Sequence, residues 1–179
     1  MRIFRPIILT CLIWALVIPA SAGIGGNKKL TASADQLRAL FVQRLVKYVS
    51  WPDGMGPKSG EPVIVAATNL KSLKPFFGKG NAAIGFKLVQ WPAKEFHVLV
   101  LTGTPEREVA AILKRTAGRP VLTIGQNPVN LKLGVVVNFH MVNGKLKLQI
   151  SPKAARRAGL SISSKLLRIS QIYKGGTDD

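Results

Sequence analysis

The side chains of this sequence that could do chemistry are scattered, cationic and short of partners. Lys47 and Trp51 close an N-terminal helical pattern, with Tyr48 between them. Trp and Tyr there suit a partner contact or a packed helix end, with Lys47 complementing the helix dipole. Arg119 stands between Gly118 and Pro120, just before an apolar strand pattern. A guanidinium in that place can fork onto a carboxylate or phosphate, or fix the turn through an internal salt bridge. Asn138 interrupts an apolar run between Val137 and Phe139. A buried amide must be hydrogen-bonded, so the expectation is a structural bond to a neighbouring loop, with a ligand contact as the second reading. Ser163, Ser164, Lys165 and Arg168 open the last helical pattern. The serines suit a helix cap. The same amides could hold an anion, assisted by the two cations.

Catalytic constellations are not legible. His97 and His140 are the two histidines, each in an apolar strand pattern, and both read as satisfied core residues. No cluster of acids or cysteines accompanies either, so the sequence supports no metal site and implies no cofactor. There is no Gly-x-Ser-x-Gly nucleophile elbow and no phosphate loop ending in Gly-Lys-Thr. The chain is expected not to be an enzyme. An envelope hydrolase survives only as an idea without a mechanism.

The elements that must position these residues follow from periodicity. Residues 1–22 read as a cleaved signal peptide. Arg2 and Arg5 precede an apolar run from Pro6 to Ile18, and Ala20-Ser21-Ala22 supplies the cleavage pattern. Residues 23–32 read as a flexible tail. Cleavage after Ala22 would remove Cys11, the single cysteine, and leave no thiol chemistry. The expected location is the periplasm.

Ser33 and Gln36 form a capping box, and Leu37, Leu40, Phe41, Leu45 and Tyr48 recur at helical spacing. Trp51-Pro52 ends that helix. Strands are expected at 63–67, 86–91, 96–101 and 121–124. Helices are expected within 69–77 and from Thr104-Pro105-Glu106 to about Thr116. Residues 78–85 read as loose. Asn143-Gly144 between 134–141 and 145–150 signals a hairpin. Ser151-Pro152 caps a helix ending near Gly159, and a last helix is expected over 163–172. Residues 174–179 read as a second tail.

Strands alternating with helices imply one α/β domain over 33–173. Its expected core is a mixed, mostly parallel sheet flanked by helices, with a C-terminal hairpin.

The formal net charge is +18 in 179 residues. Between Gln36 and Gly176 the acids are Asp53, Glu61, Glu95, Glu106 and Glu108. So basic a chain favours an acidic protein surface, anionic lipid or a small anion. The export signal argues against nucleic acid. A solvated basic face is the plainest alternative.

Four stretches resemble one family in the same order: LRALFVQRLVKYVSWP, GRPVLTIGQ, GVVVNFHMVNGKLKLQIS and AARRAGLSISSKLLRIS. They are similar to the YfiR-like periplasmic regulatory proteins over about Leu37 to Ile172. The resemblance implies an exported α/β domain. It also implies repression of an inner-membrane diguanylate cyclase through contact with its periplasmic region, which lowers cyclic di-GMP and biofilm formation. Family members can also form dimers, so a homodimer is among the implied partners. Some members carry disulfide-forming cysteine pairs, which this chain lacks after cleavage. A second function class is a periplasmic carrier of a small anionic ligand, bound near Arg119 or the start of the last helix.

Overall fold

In the computed structural model, residues 33–77, 85–143 and 145–175 are described. Residues Ala32–Asp179 form one compact unit. The expected signal peptide, the tail over 23–32 and the loose 78–84 segment lie outside the described residues, as do residues 176–179.

Helix α1 spans Ala34–Leu45, and Ser33 caps it by accepting from Gln36 N–H at 3.1 Å. A tighter turn over Val46–Tyr48 leads into strand β1, Val49–Ser50. The chain therefore pairs as a strand before Trp51-Pro52 stops it. The buried side of α1 is Ala39, Val42 and Leu45; of the expected stripe Leu45 is buried, Leu37 and Phe41 are half-buried, and Leu40 and Tyr48 are not covered. Leu40 is 40% exposed and Tyr48 39%. The helix is apolar on more than one side, and the smaller Ala39 and Val42 seat more closely against the sheet. On the flank, Arg38 binds Asp35 at 2.7 Å, and Gln43 donates to the Phe76 carbonyl at 3.1 Å.

Strand β2 is Val63–Ala67, and α2 is a single turn, Lys74–Phe77, with Leu73 buried just before it. Strand β3 is Phe86–Gln90 and β4 is Val98–Val100. Helix α3, Glu106–Thr116, carries Glu106 and Glu108 in its first turn and Lys114 and Arg115 in its last. Each set complements the helix dipole. Thr104 does not cap it. Its hydroxyl instead meets that of Thr68 at 2.7 Å, tying the end of β2 to the loop after β4. Gly118 turns the chain with φ +77°, a conformation open to glycine.

Strand β5 is Leu122–Gly125. The Gly-Gln-Asn-Pro run that follows Ile124 reads as a turn, and in the structure it leads directly into a helix, α4, Val129–Leu133. Asn127 Oδ1 accepts from Val129 N–H, and this local bond favours entry into the helix. The hairpin forms as expected from β6, Val137–Val142, and β7, Lys145–Ile150, with Asn143 at φ 49°. Ser151 caps α5, Pro152–Arg157, through Ala154 N–H. The predicted last helix is shorter than the sequence suggested. Strand β8, Ser161–Ile162, precedes α6, Ser164–Arg168, and strand β9, Gln171–Ile172, follows it. Ile169 and Ile172 were expected on an apolar helix face. Ile169 is 77% exposed, and Ile172 is drawn into the sheet by pairing with Ile150.

The main sheet has seven strands in the order β3-β2-β4-β5-β6-β7-β9. All neighbours are parallel except β6 and β7. Alternation along the central strands splits the core into two layers. Val63, Val65, Val98, Val100, Leu122 and Ile124 face α1, α5 and α6. Ala66, Leu99 and Leu101 face α3 through Val109 and Ile112. The fold is thus α/β with a mixed, mostly parallel sheet between helices.

Candidate functional site

The end of α1 and the start of α6 lie 115 residues apart in sequence, from Tyr48 to Ser163, yet they form one surface. Strands β1 and β8 pair antiparallel, with Val49 opposite Ile162 and Ser50 opposite Ser161. Ser163 N–H continues the ladder by donating to the Tyr48 carbonyl at 2.9 Å. This two-stranded clip brings Lys47 and Tyr48 to the start of α6, where Ser163, Ser164, Lys165 and Arg168 stand, while Trp51 continues from β1 at the clip's other end. Lys47, Tyr48, Ser164, Lys165 and Arg168 are exposed, while Trp51 and Ser163 are half-buried. Ion pairs among the described residues are Arg38–Asp35 and Lys58–Glu61. The cations of the clip surface are therefore not neutralised there.

Trp51 packs edgewise into the loop that follows it. A Cβ on Gly56 would stand 2.8 Å from Trp51 Cβ, so glycine is needed for that approach. The indole N–H is buried and has no acceptor among the described residues. On the other side, a Cβ on Gly159 would meet Pro52 Cγ at 3.3 Å. The Trp-Pro step is thus held between its own loop and the end of α5.

Ser163 Oγ accepts from Lys165 N–H at 3.3 Å, so its side chain is a cap. Helix α6 is five residues long, too short to build an appreciable dipole. What this surface offers is two lysines, an arginine and a tyrosine, all exposed on segments joined by the clip.

The other two candidates lie apart from it. Arg119 stacks its guanidinium on Phe96, 4.4 Å from the ring centroid, and donates to the Lys94 carbonyl at 3.3 Å. It fixes its turn by stacking and a carbonyl bond, not by a salt bridge. Asn138 is fully buried, and its partner is a strand, not a loop: Nδ2 donates to Gln149 Oε1 at 3.1 Å. Gln149 Nε2 in turn donates to Gln171 Oε1 at 3.1 Å. This amide ladder crosses β6, β7 and β9. Asn138 Oδ1 and the nearby Asn130 Oδ1 have no hydrogen-bond partner among the described residues.

His97 is satisfied, as expected: its Nδ1 accepts from Ile64 N–H at 3.1 Å. His140 differs, because its Nδ1 is buried without a partner among the described residues. Burial of His97 lowers its pKa below the ordinary value of 6.5, opposed by the negative charges of Glu61 and Glu95. The sign follows from linkage. Above pH 6.5 both folded and unfolded chains hold neutral His97. Below it the unfolded chain takes up the proton first, and stability falls. The melting temperature should therefore drop from pH 7 to pH 5. His97→Asn, whose Oδ1 can replace Nδ1 as the acceptor, should flatten that part of the profile. An unchanged slope would remove His97 as its source.

No group of three or more metal-ligating side chains occurs among the described residues, and none of their helices is long and apolar enough to cross a membrane. No curated protein matches the chain. The YfiR/HmsC-like family model matches residues 35–171, from the first turn of α1 to β9. That match takes in both halves of the clip, the seven-stranded sheet and the hairpin, and the chain belongs to the YfiR/HmsC-like family.

Proposed function

We propose that the chain is a periplasmic regulatory protein, not an enzyme. In this reading it represses a membrane-bound diguanylate cyclase by protein–protein contact with the cyclase's external domain, and so lowers cyclic di-GMP and biofilm formation. Family membership supports the regulatory role. The signal-peptide pattern of residues 1–22 supports export.

The observation that carries the contact mechanism is the clip surface. Lys47, Lys165 and Arg168 are exposed on the two segments that the clip joins, as is Tyr48, and no carboxylate is paired to them among the described residues. Aromatic and cationic groups on a preformed backbone favour an acidic partner, and they do so with little ordering cost. The partner surface should carry Asp and Glu opposite these cations. Rim charges act mainly on the association rate, so binding should weaken as salt rises.

The test is cellular cyclic di-GMP with and without the gene in the source bacterium. Deletion should raise it. Restoring the gene with Lys47→Glu, Lys165→Glu and Arg168→Glu together should leave it raised, although the protein accumulates normally. No rise on deletion would reject the repressor reading. Full repression by the charge-reversed protein would move the contact to another face.

A further inference from the structure

A groove lies where the end of α3, from one face of the sheet, approaches α5, from the other. Its volume is about 370 Å³. Leu113, Val121, Leu133, Val136 and Ala154 give it an apolar floor. Its rim carries Lys114, at the end of α3, and Arg157, at the end of α5. Both are exposed, and neither has an ion pair among the described residues. No acidic side chain lines the groove. Arg119 forms part of the wall, but its guanidinium is turned onto Phe96.

Two further features make the groove more than a gap between helices. Gly134, at φ +107°, lies beside Arg157: a Cβ there would stand 3.5 Å from Arg157 Nη2, an ordinary contact that places the guanidinium against the groove wall. On the floor, the Thr123 hydroxyl accepts from Val136 N–H at 3.0 Å. Its own proton is therefore free to donate, and no acceptor for it is found among the described residues. Thr123 is 5% exposed, so that donor sits deep.

We infer that this groove binds a small amphiphilic anion: an apolar body of medium length with one carboxylate head. The apolar floor takes the body, and the head lies between Lys114 and Arg157. A guanidinium and an ammonium on an apolar rim suit a carboxylate that the body anchors nearby. Size limits the class. At ~30 Å³ per water-sized group, the cavity accommodates about twelve non-hydrogen atoms. A ten-carbon fatty acid has that size, and a bulky lipid with two chains does not fit. This inference does not depend on the repressor reading, because the groove shares no residue with the clip surface and is tested by binding alone.

The experiment is isothermal titration of the purified full chain with decanoate, with decanol and inorganic phosphate as controls. Decanoate should bind, decanol at least tenfold more weakly, and phosphate not measurably. Lys114→Gln with Arg157→Gln should weaken decanoate at least tenfold and leave decanol unchanged. Ala110→Phe, on an exposed position at the groove wall, should abolish binding of decanoate while the melting temperature stays within a few degrees. The inference is overturned by no decanoate binding at millimolar concentration or by equal binding of decanol. Phosphate binding in place of decanoate, or full binding by the Ala110→Phe protein, would overturn it as well.

Discussion

Phe139→Ala should lower the free energy of unfolding by about 3–5 kcal/mol, the largest loss expected from one side chain here. Phe139 is 1% exposed on β6, the strand that joins the parallel and antiparallel parts of the sheet. Its ring lies 5.5 Å from that of Phe41 on α1, tilted by 49°. Truncation would remove the aromatic contact and leave a cavity between helix and sheet, and the paired strand cannot shift inward to fill it. Urea unfolding should show a lower midpoint with an unchanged slope. Leu40→Ala on the same helix is the control. Leu40 is 40% exposed, and its loss should change stability by no more than about 0.5 kcal/mol. A Phe139→Ala protein within 1 kcal/mol of the parent would mean that the helix closes onto the sheet more freely than its packing implies.

Gly125→Ala is the second large effect. The residue ends β5, with ordinary backbone angles, so the constraint is space and not conformation. A Cβ there would stand 2.6 Å from Asn130 Nδ2, 2.9 Å from Asn130 Cβ and 3.1 Å from Asn138 Oδ1. Asn130 is 2% exposed and Asn138 fully buried, so neither can swing into solvent. Overpacking of this kind costs about 1–3 kcal/mol. Moving Asn138 would also disturb its bond to Gln149, which adds to the loss. Thermal unfolding should show the drop, and amide exchange should quicken first in β6 and β7. Protection that is lost evenly over the molecule would argue against a local wedge.

Much of this fold is legible in the sequence because its strands are short apolar runs between clear stops. Val63–Ala67 and the Asn143-Gly144 hairpin depend on local signals, and the described strands fall where those signals place them. The C-terminal segment was harder. Residues 163–172 carry apolar side chains at a spacing that fits a helix, yet only five of them coil. Pairing of Gln171 and Ile172 with β7 wins over helical propensity, and pairing between distant strands has no local signal. The same limit hid the clip. Ser50 and Ser161 give no hint of each other in sequence. The candidates at the clip could be named one by one, but the pairing that joins them could not. The groove was hidden for a related reason. Leu113, Val136 and Ala154 carry no local sign of an opening, and only the spacing of α3 and α5 leaves room between them.

The clip has a consequence for what kind of epitope the chain presents. Half of the surface comes from residues 47–51 and half from residues 161–168, and two short strands hold the halves in register. No peptide from either end can reproduce it, and a chain cut before Ser161 would lose both its own half and the pairing that orders the other. The proposed contact face exists only while the first and last parts of the domain remain joined. On that proposal the chain advertises itself to a partner only when these parts are intact, so nicking or fraying of residues 161–168 would silence it before the core had melted.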